Sequence, residues 1–333
     1  MTSKRLVLVL AILCMIFLCG CVDQHPQTTG ETAVSSGAVS AAESPSQKAE
    51  SENEAVTAAQ AKVNALGRTP RVIATSPATV EICNKLDLEL VGVSSSKVTK
   101  LPEKYANTET IGSAMSPDME KISSLQPDWI LSPASLQSDL QKKYETIGCD
   151  WAFVNLQSVQ GMYRSIEELG TIFGRKEKAQ KMVREFDGFH QKLEERIQGK
   201  TKPRVLILMG MPGSYVIATP RSYVGNLVEL AGGKNVYEDS DKDFINVNTE
   251  DMKTKEPDII LRAAHAMPED VVRMFDKEFK NSSIWKHFKA VEDGKVYDLP
   301  YDLFGMSASF QYPEAVEMLE KLFYEEKEKT GNE

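Results

Sequence analysis

Apolar positions fall into three patterns along the chain. Residues 6–18, behind Lys4 and Arg5, form one unbroken apolar run. Roughly 13 residues are too few to span a bilayer and suit the core of an export signal, placed here at residues 1–20. Residues 21–66 carry few large apolar side chains and are rich in Ser, Ala, Thr and Glu. Such a stretch buries too little surface to offset ordering, so a flexible tether is expected. Beyond it, short β-branched runs alternate with helical periodicity. "RVIATSP" reads as strand and turn, "ATVEICNKLDL" as helix, "ELVGVSS" as strand, and "MEKISSLQPDWILSP" and "LQKKYETIGCDWAFVN" each as helix then strand. That alternation predicts an α/β unit with a largely parallel sheet.

A second cycle begins at "KPRVLILMG" and runs through "GNLVELAGGKNVYED", "NTEDMKTKEPDIILRAAH" and "AVEDGKVYDLP". Between the cycles, Ala179, Met182, Val183, Phe186, Phe189 and Leu193 put one apolar stripe on a charged segment, residues 175–200. The spacing predicts a helix reaching roughly 37 Å that joins two lobes, residues 67–174 and 201–333. The lobes echo one another. "MSPDMEKISSLQPDWILS" and "VNTEDMKTKEPDIILRA" both read cap, Glu, helix, Pro-Asp, aliphatic strand. In the first, Ser116 is the expected N-cap with Pro117 in the first turn, which leaves Met115 just outside the helix. Open α/β sheets hold ligands beyond the carboxyl ends of their strands, so the residues after "DWIL" and "DIIL" are candidates for a cleft.

Composition narrows the function. A net charge of -9, with basic and acidic residues interspersed, argues against nucleic-acid binding. Outside the signal there is no glycine-rich loop after a strand, no HExxH and no CxxC, so catalysis finds no footing. His25, His190 and His287 read as idle, exposed and structural. Leu18-Cys19-Gly20-Cys21 resembles the bacterial lipoprotein signal, in which the last cysteine is acylated and becomes the mature N-terminus. Cys83 and Cys149 then remain in the folded part, read as two thiols with a disulfide as the alternative.

With "RVIATSPATVEI", "ELVGVSS", "MEKISSLQPDWILS", "GNLVELAGGKNVYED" and "GKVYDLPYDLF" in place, the chain resembles the substrate-binding lipoproteins of ABC importers for heme, siderophores and vitamin B12. The resemblance runs from Thr69 to the C-terminus. It implies a class III substrate-binding protein of the helical-backbone type, two Rossmann-like α/β lobes joined by one long α-helix. Within that family the similarity is greatest to the heme-binding lipoproteins of Gram-positive bacteria, where a Met of one lobe and a His of the other ligate the iron. The matching motifs here are "GSAMSPDMEKI" and "ILRAAHAMPEDV", so the resemblance assigns Met115 and His265 as axial ligands of one heme b per chain, carried as cargo. His265 also follows an aliphatic strand and precedes the helix start Pro268-Glu269-Asp270, which sets it at a cleft edge.

Met211, Tyr223, Met267, Phe304 and Met306 are expected to line the porphyrin pocket. Glu120 and Glu250, the repeated glutamates, match the family's positions for docking onto the permease. The resemblance further implies a permease with its ATPase, heme-donor surface proteins upstream, and a membrane reached through acylated Cys21. A monomer on the extracytoplasmic face is expected. The alternatives are a ferric-siderophore or corrinoid receptor of the same fold, to which Arg221, Arg262 and Tyr223 would contribute, and a tethered sensor or adhesin.

Overall fold

The structure, a computed structural model, describes residues 45–96 and 99–325. The export signal and Cys21 lie outside the described residues. The second half of the stretch read as a tether is helical, α1 (Pro45–Ala65). Alanine and glutamate favour a helix, and a docked helix needs only a thin apolar edge. Ala59 and Val63 supply that edge, buried against the main core, and Lys62 pairs with Asp150.

The first lobe contains β1 (Val72–Ala74), α2 (Pro77–Lys85), β2 (Leu90–Val93), a short hairpin of β3 (Gly112–Ser113) and β4 (Ser116–Pro117), and α3 (Met119–Ser124). It continues through β5 (Trp129–Pro133), α4 (Gln137–Ile147), β6 (Asp150–Val154) and α5 (Val159–Ile172). Four strands pair in parallel in the order β2-β1-β5-β6. Both faces are covered, which is why these strands read as continuous apolar runs. Ile73 and Ile130 pack on one face with Tyr144, and Val72 and Leu131 join the main core on the other.

One helix, α6 (Lys176–Ile197), leads to the second lobe. Its 22 residues bury Ala179, Phe186 and Leu193, the centre of the stripe read from the sequence. Next come β7 (Arg204–Met211), β8 (Ser214–Ala218), α7 (Tyr223–Leu230), β9 (Lys234–Asn235), β10 (Phe244–Ile245) and α8 (Thr249–Thr254). The lobe closes with β11 (Ile259–Ala264), α9 (Pro268–Asn281), α10 (Lys289–Glu292), β12 (Val296–Asp298) and α11 (Tyr312–Tyr324). This sheet is mixed rather than largely parallel. β11 runs parallel to β7 and β12, whereas β8 returns antiparallel to β7 and β10 pairs antiparallel with β8. The reversal is local: Met211 pairs with Ser214 around Pro212-Gly213, and Gly213, at φ +87°, adopts a backbone conformation costly for other residues.

The sequence echo is a structural repeat. In the first lobe the Arg71 N–H donates to the Asp128 carboxylate at 2.7 Å while the Asp128 N–H donates to the Arg71 carbonyl at 2.8 Å. The Arg71 guanidinium donates to the carbonyl of Leu125, at 3.1 Å from Nε and 2.7 Å from Nη2. In the second lobe Arg204 and Asp258 make the same exchange, both bonds at 2.8 Å, and the Arg204 guanidinium donates to the carbonyl of Lys255. The residue before each Pro-Asp is left-handed and is not glycine, Gln126 at φ +45° and Glu256 at φ +43°. Such residues cost of order 1 kcal/mol or more and persist where surrounding bonds hold them.

Candidate functional site

The carboxyl ends of β1, β5, β6 and β11 open on one cavity of about 780 Å³ between the lobes. That volume lies in the range of small-molecule sites. The first lobe lines it with Ser76, the cap of α2, with Pro77 and Glu81 of that helix, with Ala114 and Met115, and with Ser135 and Leu136 after β5. The second lobe contributes Ser222, Tyr223, Phe244 and His265, together with the segment after β12 that holds Tyr301, Met306 and Ser309.

Met115 reaches the cavity by a route different from the one expected. Ser116 is not an N-cap. Gly112, at φ +89°, starts a hairpin that pairs Gly112 with Pro117 and Ser113 with Ser116, and the Asp118 N–H closes it on the Ile111 carbonyl at 2.7 Å. Asp118 is the cap instead, its carboxylate accepting from the Lys121 N–H at 3.0 Å. Met115 therefore sits at the tip of a two-residue turn and is 75% exposed. Met115 is the most exposed of the large apolar side chains among the described residues. His265 is placed by the sheet: its N–H continues the β7–β11 ladder to the Gly210 carbonyl at 2.9 Å, and its side chain is half-buried on the cavity wall.

The other expected residues divide. Tyr223 and Met306 line the cavity. Met211, the residue after Gly210 on β7, and Met267, two positions past His265, are exposed but do not belong to its wall. Every large apolar side chain left exposed among the described residues is one of the methionines 115, 211, 267 and 306. Phe304 does not line the pocket: it is fully buried in the main core, because Leu303 and Gly305 turn outward on either side of it. Glu120 and Glu250 are exposed in the first turns of α3 and α8, away from the cavity.

Several lining residues had no motif to reveal them. Gln157 donates across the lobes to the Asp243 carboxylate at 2.5 Å, and both touch the cavity. Lone polar residues in loops give no periodic signal, so nothing in the sequence could have paired them. Burial raises the pKa of the Glu81 carboxyl, with nearby Lys85 opposing the shift. Burial also pushes the Tyr223 hydroxyl up to about 12, and that hydroxyl lies beside Ser309 without closing a hydrogen bond. Lys100 is the one Lys or Arg on the wall among the described residues. Behind the wall Thr75 donates to Ser132 at 2.9 Å and Tyr144 to Ser132 at 3.2 Å, a buried network that fixes the ends of β1 and β5.

Of the residues read for the siderophore alternative, Tyr223 is on the wall and the two arginines are not. Arg221 is exposed and not on the wall. Arg262 is buried, bonded to Asp298 at 2.7 Å and Asp276 at 3.0 Å, with its guanidinium over the rings of Phe275 and Phe279. A hard, anionic chelate would meet a wall with one lysine against three carboxyls, Glu81, Asp243 and Asp302, and with a thioether and an imidazole on it.

The chain is similar to known proteins over most of its length. The high-affinity heme uptake system protein IsdE of Staphylococcus aureus is 42% identical over 258 residues, 77% of this chain and 88% of that protein. The crystal structure of S. aureus IsdE complexed with heme matches with a TM-score of 0.72 at 41% identity, covering 77% of this chain and 99% of that one. An ABC transporter substrate-binding protein from Listeria monocytogenes matches at 0.74 and 45% identity, covering 78% and 100%. The periplasmic binding protein family model matches residues 72–303. A two-lobed α/β body on a single connecting helix, with its cavity at the strand ends and this match across most of its length, belongs to the periplasmic binding protein family, as a class III, non-enzymatic substrate-binding protein.

Proposed function

We propose that this chain is the extracytoplasmic heme-binding protein of an ABC importer, taking up heme and delivering it to a permease for iron acquisition. The observation that carries the reading is the meeting of Met115 from one lobe and His265 from the other on the wall of one cavity. Imidazole and thioether form a known axial pair for heme iron, and the thioether favours the ferrous state. The apolar wall suits a porphyrin face, with Tyr223 and Met306 beside it. The cargo is heme b, one per chain.

Cys21 anchors the chain to the membrane through its acyl groups, and the chain works as a monomer that receives heme from surface donor proteins. Glu120 and Glu250 dock on the two halves of the permease. Their exposed carboxylates, one per lobe at equivalent helix starts, support that role. Surface charges of this kind set orientation and encounter rate.

The test is a hemin titration followed by visible absorption. The wild-type protein is expected to give a six-coordinate, low-spin spectrum on reduction, and His265→Ala and Met115→Ala each to lose it. Wild-type spectra from both variants would remove the assignment. For docking, Glu120→Ala with Glu250→Ala is expected to abolish heme uptake by cells carrying the cognate permease while leaving the titration unchanged.

A further inference from the structure

We propose that Arg71 and Arg204 are positioning residues for permease docking, each fixing the short helix that presents its lobe's docking glutamate. The proposal rests on the docking role given above to Glu120 and Glu250. Helices α3 and α8 have six residues each, too few to hold a helix by themselves. Each is fixed at three points. A cap holds the first turn, Asp118 in one lobe and Asn248 in the other. One fully buried side chain anchors the middle, Ile122 or Met252. The arginine holds the last carbonyls.

The buried side chain shares a core cluster with the sheet, Ile122 with Ile73 and Ile130 and Met252 with Leu206 and Ile260, and the arginine adds a directional hydrogen-bonded tie to the start of a strand. Arg71 directly precedes β1 and Arg204 opens β7, and each exchanges hydrogen bonds with the aspartate that leads into the next parallel strand. The forked guanidinium takes a carbonyl from two nitrogens at once in both lobes, a geometry that an ammonium lacks. Glu120 and Glu250 stand at the same spacing ahead of Asp128 and Asp258, so the clasp gives both carboxylates one local geometry. Two left-handed non-glycine residues at the matching position, Gln126 and Glu256, mark how firmly each clasp is drawn. A partner with two equivalent docking sites would read that sameness.

The experiment uses the full mature chain, loaded with heme, titrated against its permease in nanodiscs with ATP hydrolysis as readout. Arg71→Lys with Arg204→Lys keeps both charges and loses both forks. The concentration for half-maximal stimulation is expected to rise about tenfold, the scale of one charge-assisted bond lost, with the maximal rate and heme affinity unchanged. In a Glu120→Ala background, which keeps the other lobe's contact, Arg71→Lys alone is expected to add nothing. Ile166→Val, a core change of ordinary cost, controls for lost stability and is expected to leave half-saturation where it was. Wild-type stimulation by the lysine pair overturns the proposal, and so does a loss from Arg71→Lys in the Glu120→Ala background equal to its loss in the wild type. If the glutamate variants themselves dock normally, the docking reading fails first, and the positioning role falls with it.

Discussion

Tyr163 of α5 and Phe186 of α6 stack with ring centroids 4.6 Å apart and planes 17° from parallel, and Tyr312 of α11 meets both rings edge-on. One aromatic cluster therefore joins the first lobe, the connecting helix and the second lobe. Asn226 of α7 adds polar ties, accepting from the Val159 N–H at 2.9 Å and donating to Gln160 at 3.0 Å. Wide hinge closure would have to break these together. Small-angle scattering of ligand-free and heme-loaded protein is expected to give nearly the same radius of gyration. A contraction typical of hinge-bending binding proteins would contradict the aromatic joint.

Met115 is exposed on a short hairpin, so Met115→Ala should cost less than about 0.5 kcal/mol of stability. A loss of heme affinity in that variant then reports on the site and not on folding. His265→Ala is expected to weaken binding more, since imidazole is the stronger ligand for ferric iron and water can replace a thioether. Melting curves of the two ligand-free variants, set beside their hemin titrations, check both statements. Melting points far below wild type would break the separation.

Glu81 gives a pH dependence with a definite sign. Its carboxyl is raised in the folded state by burial, so the folded protein holds that proton more tightly than the unfolded chain. Stability is lost at this site as pH rises from the unfolded value near 4.3 through the folded one, and the cost stays above that window. Glu81→Gln should therefore be more stable than wild type at pH 7, with the gain shrinking toward zero below about pH 4. Urea unfolding across that range measures it. A gain that does not change with pH would assign the effect to packing.

Cys83 is buried, and burial holds its thiol near 12. Cys149 is half-buried and held near 11. Only the thiolate attacks, so at pH 8 about a thousandth or less of either is reactive. Native protein treated with a disulfide reagent is expected to react slowly at both positions, and urea-unfolded protein to titrate both at once. Absence of free thiols after unfolding would instead mean a bond between them.

The removal of Arg262 from the cleft has a stability counterpart. Arg262→Ala takes a buried guanidinium from two exposed aspartates and two aromatic rings, and is expected to cost about 1–3 kcal/mol, mostly lost packing since water can solvate the freed carboxylates. Arg262→Met, which keeps the ring contacts, should cost less. Chemical denaturation of both variants, with hemin titration alongside, checks this. Heme affinity should stay at the wild-type value, since Arg262 is not on the cavity wall.

What the sequence determined by itself is whatever repeats at short range. The alternation of strands and helices, the apolar stripe of the connecting helix and the twinned segments before Pro127-Asp128 and Pro257-Asp258 are periodic patterns, and periodicity is a property of neighbouring residues. Because ligands gather at strand ends, the same reading brought His265 to the cleft, whereas Met115 was assigned by the family resemblance of "GSAMSPDMEKI". The tertiary structure decided what depends on partners far along the chain. Ser116 lost the cap to Asp118 because Gly112 folds a hairpin back onto it, and Phe304 turned into the core because a distant apolar cluster had room for it. Arg262 went to Asp276 and Asp298, and the end of the tether became a docked helix because Ala59 and Val63 found the core. In each case the local sequence allows two outcomes of similar free energy, and packing against residues scores of positions away selects between them.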